Sequence, residues 1–203
     1  MAQNPLAAFV AKNPGNALVP LLSDTQGALL DSARHGAYYE ASKAGTLFIG
    51  ANQTGVTTSA GLATTFVGLC LSNPAGSGKN LVLSRVSAQF IVAPSTVTGI
   101  GLITGYAAGG VTVHTTALTP INSVIGTGSA GVGLLDSACT LVGTPVWSRY
   151  LTETANATTL PFVTHDLAGA FILPPGAYAA IGTTIAGPAS GFVGSMEWEE
   201  LPV

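Results

Sequence analysis

Charge is what this chain has least of: no Asp, Glu, Lys or Arg stands between Arg85 and Asp136. Those four types make up 7% of its 203 residues, against about a quarter in an ordinary soluble domain. The six cations, Lys12, Arg34, Lys43, Lys79, Arg85 and Arg149, are scattered and the net charge is −3. A phosphate backbone needs clustered Lys and Arg, so nucleic acid is excluded as an expected partner. Long apolar runs are missing too. The chain is 47% hydrophobic with a mean hydropathy of +0.51, yet no segment approaches the ~20 consecutive apolar residues of a spanning helix, and no membrane partner is expected. Cysteine is reduced to Cys70 and Cys139, each in an apolar segment. They read as buried thiols, with a single bridge as the alternative. The opening Met1-Ala2-Gln3-Asn4-Pro5 lacks the basic-then-apolar pattern of a secretory leader, and synthesis in the cytoplasm is expected. Without export, the acceptor patterns at Asn52-Gln53-Thr54 and Asn156-Ala157-Thr158 carry no function.

What covers the surface instead is Thr, Ser, Asn and Gly. A neutral, hydroxyl-rich exterior gives little repulsion between copies. It suits a subunit whose surface is covered by identical chains or by another protein, and this points to an assembly component.

The first 45 residues differ from the rest, with prolines at Pro5, Pro14 and Pro20 and most of their apolar groups in pairs. Pro20 splits Leu18-Val19 from Leu21-Leu22, which forbids a continuous helix and confines any strand to an edge. Residues 1–45 therefore read as an N-terminal arm with a short helical turn near 37–44. Leu29-Leu30 and Tyr38-Tyr39 are apolar enough to require a docking surface. From Thr46 onward β-branched and aromatic residues alternate with Gly, Pro, Asn and Ser breaks. Strands are expected near 46–51, 62–72, 80–93, 98–107, 111–117, 133–142, 146–152, 171–173, 178–185 and 192–201. Some ten short strands separated by turn signals predict an all-β antiparallel sandwich, jelly roll or barrel over 46–203. The 72–79 segment reads as a hairpin loop, and Pro174-Pro175-Gly176 as a sharp reversal. Gly and Ala in 98–115 leave room for a close neighbour. In the last strand Met196, Trp198 and Glu200 share one face, with Glu197, Glu199 and Leu201 opposite.

Catalytic patterns fail in detail. Gly76-Ser77-Gly78-Lys79 resembles a phosphate loop, but Asn73 and Asn80 replace the required Gly and Ser or Thr. His35, His114 and His165 have no metal-ligand spacing, and the cysteines form no Cys-x-x-Cys pair. Thr164-His165-Asp166 lacks a nucleophile elbow, and Ser195 is followed by Met196 and Glu197 rather than by x-Gly. Glu197 and Glu199 would stand about 7 Å apart on one strand face, which glycoside hydrolysis can use. Charges guarding a sheet edge explain them better. No catalytic residue, metal or cofactor is therefore expected. Arg34-His35-Gly36-Ala37-Tyr38-Tyr39-Glu40 concentrates interface-enriched types. Arg34, His35, Tyr38 and Tyr39, together with Trp198, are the expected interface residues.

Several segments resemble tailed-bacteriophage virion proteins: Asp31-Ser32-Ala33-Arg34-His35-Gly36-Ala37-Tyr38-Tyr39-Glu40-Ala41, Thr46-Leu47-Phe48-Ile49-Gly50-Ala51-Asn52-Gln53, and Ser72-Asn73-Pro74-Ala75-Gly76-Ser77-Gly78-Lys79-Asn80-Leu81. So do Leu173-Pro174-Pro175-Gly176 and Gly194-Ser195-Met196-Glu197-Trp198-Glu199. The resemblance implies a jelly-roll subunit, trimeric, that decorates or cements the capsid shell by binding the major capsid protein. A tail- or fibre-associated member with a receptor- or carbohydrate-binding sandwich is the alternative, with Trp147, Trp198 and the tyrosines as candidates. The resemblance carries over no functional residues.

Overall fold

The computed structural model describes residues 36–109, 113–153 and 162–203, together with the backbone of Val10–Lys12 and Leu18–Pro20. Two compact units result, Met1–Ala37 and Tyr38–Val203. In the first, β1 (Val10–Lys12) pairs antiparallel with β2 (Leu18–Pro20). Pro20 closes its strand, a position where a missing N–H is tolerated.

The second unit opens on helix α1 (Tyr39–Ala44), followed by β3 (Leu47–Ala51), β4 (Thr65–Ser72), β5 (Lys79–Phe90) and β6 (Gly99–Tyr106). Next come β7 (Val113–Leu118), β8 (Ile121–Asn122) and β9 (Leu134–Thr140). The chain then runs through β10 (Val146–Glu153), β11 (Phe162–Leu173), β12 (Ala177–Thr183) and β13 (Phe192–Pro202). Two antiparallel sheets form a sandwich, as the alternation predicts. One has the order β10-β6-β12-β4-β9-β7 and the other β11-β5-β13-β3-β8.

The order has a simple origin. Strands β3, β4, β5 and β6 pair respectively with β13, β12, β11 and β10. The unit is thus one long antiparallel ladder whose successive rungs alternate between sheets. Further pairing of β12 with β6 and β13 with β5 sews it into two layers. The excursion β7–β9 leaves the ladder at its turn and widens both sheets on the far side.

Between the layers lies the main core, including Phe48, Leu69, Leu83, Phe90, Ile100, Ile181, Phe192 and Trp198. On β13 the expected alternation holds, with Met196, Trp198 and Glu200 buried and Leu201 exposed. On β5 it slips by one residue. Glu197 faces Arg85 while Trp198 faces Leu83, so buried Ser84 is the extra residue of a bulge and Leu81, Leu83, Val86, Ala88 and Phe90 all point inward. A second apolar layer, Phe66, Cys70, Ile103, Cys139, Leu141, Tyr178 and Ala180, lies on the outer face of the six-stranded sheet. Strand β12 is consequently buried on both faces. The Phe66 ring lies over Gly68, where a Cβ would stand 2.5 Å from it.

Two expectations about connections fail. The 72–79 segment is no hairpin, because β4 and β5 belong to different sheets. Its first turn is held by buried Asn73, whose Nδ2 donates to the carbonyls of Lys79 and Leu173, both at 2.7 Å. The Asn73 backbone in turn bonds Ala177 and Gly176, which ties this crossover to the Pro174–Gly176 reversal. The second failure is β13, which is the central strand of its sheet and not an edge. Glu200, on the Trp198 face, is a buried latch. Its carboxylate accepts from the N–H groups of Val132 and Gly133, the Trp198 indole and the Lys79 ammonium.

Glu200→Ala leaves three buried donors without an acceptor and is expected to cost about 3 kcal/mol, read as a fall in denaturant midpoint at unchanged m. Lys79→Ala, whose ammonium-bearing side chain is 37% exposed, should cost less than about 1 kcal/mol.

Candidate interaction surface

The outer face of the five-stranded sheet carries a row of charge, and register explains how. Asp166 on β11 faces Arg85 on β5, which faces Glu197 on β13. Glu197 in turn faces Ile49 on β3, and Ile49 faces Ile121 on β8. One row thus runs acid, Arg, acid, Ile, Ile across all five strands. The neighbouring row is Thr164, Ser87, Ser195 and Ala51, with Ser87 and Thr164 hydrogen-bonded at 3.0 Å. A depression of about 270 Å³ lies over the two rows, lined by Ile49, Ala51, Arg85, Ser195 and Glu197 among others.

Helix α1 packs beside this face. Glu40 in its first turn and Lys43 in its last complement its dipole. Gly45 ends it at φ 72°, a left-handed conformation that glycine adopts without strain. Just ahead of the helix, the Tyr38 hydroxyl donates to Asp166 Oδ1 at 3.0 Å, and its ring lies 5.5 Å from the Arg85 guanidinium. Arg85 also approaches Glu197 at 3.7 Å. Partial burial, then the bond to Asp166, raises the Tyr38 phenol above its ordinary pKa. Tyr38 therefore links three strands through their charged row.

Of the expected interface residues, Arg34 and His35 lie outside the described residues. Tyr38 and Tyr39 stand on the α1 segment, Tyr39 exposed with Lys43 Nζ 5.9 Å from its ring centroid. Trp198 is corrected: its indole is fully enclosed, stacked on Phe48 with centroids 6.1 Å apart, and has no surface to offer a partner. The Glu197 and Glu199 carboxylates are both engaged, Glu197 with Arg85 and Glu199 as acceptor from the Thr46 hydroxyl at 2.9 Å. Sequence reasoning missed Arg85 and Asp166, because their alignment arises only from the pairing of β11 with β5.

A second polar cluster sits at the other end of the six-stranded sheet. His114 Nδ1 on edge strand β7 pairs with Asp136 Oδ2 on β9 at 2.5 Å. The Asp136 side chain is wholly buried, and its Oδ1 has no hydrogen-bond partner among the described residues. Burial raises the Asp136 pKa, while His114 opposes the shift. Nearby, Cys70 and Cys139 are buried and unbridged, in agreement with the thiol reading. Contact with Cys139, then burial, pushes the Cys70 thiol well up, so neither geometry nor protonation makes it a nucleophile. The Tyr178 phenol, enclosed beside both thiols, is pushed up to about 12. Among the described residues no group of His, Cys, Asp and Glu is arranged to hold a metal ion, and no helix is long and apolar enough to cross a membrane.

Comparison with known protein families, with curated proteins and with solved structures finds no match to this chain.

The Asp136 arrangement sets a pH dependence. The folded state holds this proton more tightly than the unfolded one, so the group's stabilising contribution is complete below about pH 4 and is lost as pH rises through the folded value. Asp136→Asn keeps the shape without the charge. Relative to this variant, wild type is expected to lose stability on going from acid to neutral pH in urea titrations. A difference constant with pH, or growing in the opposite sense, contradicts the assignment.

Proposed function

We propose that the chain is a structural subunit of a virus particle. Copies associate, as trimers, and bind the outside of an icosahedral capsid shell through its major capsid protein, cementing it against internal pressure. The protein is made in the host cytoplasm and works on the virion surface, without catalysis or cofactor.

The observation that carries this reading is edge strand β7. Val113 to Ala117 are exposed, and the strand holds no Lys, Glu or Pro to deter pairing. Free proteins blunt such edges. A subunit can leave one open for its neighbour, and an edge whose one titratable group, His114, is already paired with Asp136 buries with little stripping of water from ions. The charged row and the α1 tyrosines would then face the shell. The ladder supports the jelly-roll designation as part of this reading. Eight of its strands stand in the orders β3-β13-β5-β11 and β4-β12-β6-β10, a twice-wound Greek key. A tail- or fibre-associated sandwich that binds carbohydrate is the second reading, favoured by one stacked aromatic pair, half-buried Trp147 with exposed Tyr150.

Light scattering of the purified chain is expected to give a trimer, and Thr116→Lys on the β7 edge a monomer that keeps the wild-type far-ultraviolet circular dichroism and melts lower, as loss of subunit association requires. Co-sedimentation with empty shells assembled from major capsid protein should follow the trimer and fall at least about tenfold in affinity for Arg85→Ala. A chain that stays monomeric at high micromolar concentration and ignores such shells ends the proposal.

A further inference from the structure

Strand β10 borders the six-stranded sheet and carries Trp147 and Tyr150. Three residues apart on a regular strand, the two side chains would point to opposite faces. Here the pairing with β6 slips between Trp147 and Arg149 and again between Tyr150 and Thr152. The first slip re-aims Tyr150 onto the face of Trp147, where the rings stack with centroids 5.5 Å apart at 25°. Gly101 on β6 makes the space: a Cβ there would stand 2.7 Å from the indole. The indole is anchored against the outer apolar layer of the sheet, whereas Tyr150 is 63% exposed. The pair is thus a rigid aromatic shelf with one ring in solvent.

Beside the shelf is a depression of about 500 Å³ lined by Val97, Gly99, Tyr150, Leu151, Thr152 and Thr184. None of these is charged. Thr184 Oγ1 is fixed by the Gly99 N–H at 2.8 Å, so its hydroxyl is already oriented. Pockets of a few hundred Å³ with a small number of convergent polar groups are the usual form of a ligand site. An aromatic face suits an apolar C–H surface, hydroxyls suit hydroxyls, and a lining without charge disfavours an ionic ligand. Tyr adds such contact at low entropic cost.

We infer that the Trp147–Tyr150 shelf is a binding site for a neutral hexopyranose unit of a glycan, its C–H face on the Tyr150 ring and its hydroxyls toward Thr152 and Thr184. The inference rests on the second reading above and is independent of shell binding, since a capsid-bound or a fibre-bound subunit could carry the site.

The test is calorimetric titration of the full chain with short neutral oligosaccharides of glucose, galactose and mannose, with sialylated oligosaccharides as the charged comparison. One neutral series is expected to bind in the millimolar range or tighter. Tyr150→Ala should weaken it at least about tenfold while the melting temperature, the association state and co-sedimentation with shells stay as in wild type. Three outcomes overturn the site: no neutral series binds, Tyr150→Ala binds as tightly as wild type, or the sialylated series binds more tightly. A Tyr150→Ala chain that changes association state instead reassigns the rings to contact between copies. Loss of shell binding with sugar binding intact would sink the capsid reading and leave this one standing.

Discussion

Strand β13 lies between β3 and β5, and its register fixes most of what is distinctive here. Through that register Glu200 reaches the N–H groups of Val132 and Gly133, Trp198 meets Phe48, and Glu197 comes opposite Arg85. A slip by one residue would exchange the faces, placing Trp198 in water and Glu197 among the core side chains. The single bulge at Ser84 is where β5 absorbs the mismatch between its own alternation and that of β13. Because the partners are separated by more than a hundred residues in sequence, folding must close long loops before this ladder rewards it.

Several of the described ions sit in a defined setting. Asp166, Arg85 and Glu197 share one cross-strand row, held from above by Tyr38. Glu200 is buried with four donors around it. Asp136 is buried with one partner, His114, which is why its carboxyl retains the proton more strongly. The outer face of the six-stranded sheet, by comparison, is dressed with rings over glycines. The composition of the 98–115 region foreshadowed this close approach; the approaching groups are side chains, Trp147 over Gly101 and Tyr178 over Gly105.

The strands were legible because alternation of apolar residues is a local signal, and helix α1 because its residues are bounded by Gly45. The failures share a cause. Whether β13 is central or peripheral, and whether the 72–79 loop turns back or crosses over, depends on which distant strand arrives alongside. Residues 162–170 were passed over since their Thr, His, Asp and Ala do not alternate cleanly. They belong to β11 because β5 offers them a complete ladder. Trp198 reads as an interface residue from its type and face alone, and only the opposite sheet places it in the core. The charged row and the aromatic shelf are likewise products of register and bulge. Arg85 and Asp166 are 81 positions apart, and nothing in either segment announces the other.

The sandwich starts and finishes at one corner. The Glu200 N–H donates to the Thr46 carbonyl at 2.8 Å, and the Val203 N–H to Gly78. Between the two extremities of Tyr38–Val203 and this tie lie only α1 at one side and three residues at the other. Joining the extremities and reopening the chain at exposed Ala75–Gly76 would give a permuted polypeptide with every rung of the ladder intact.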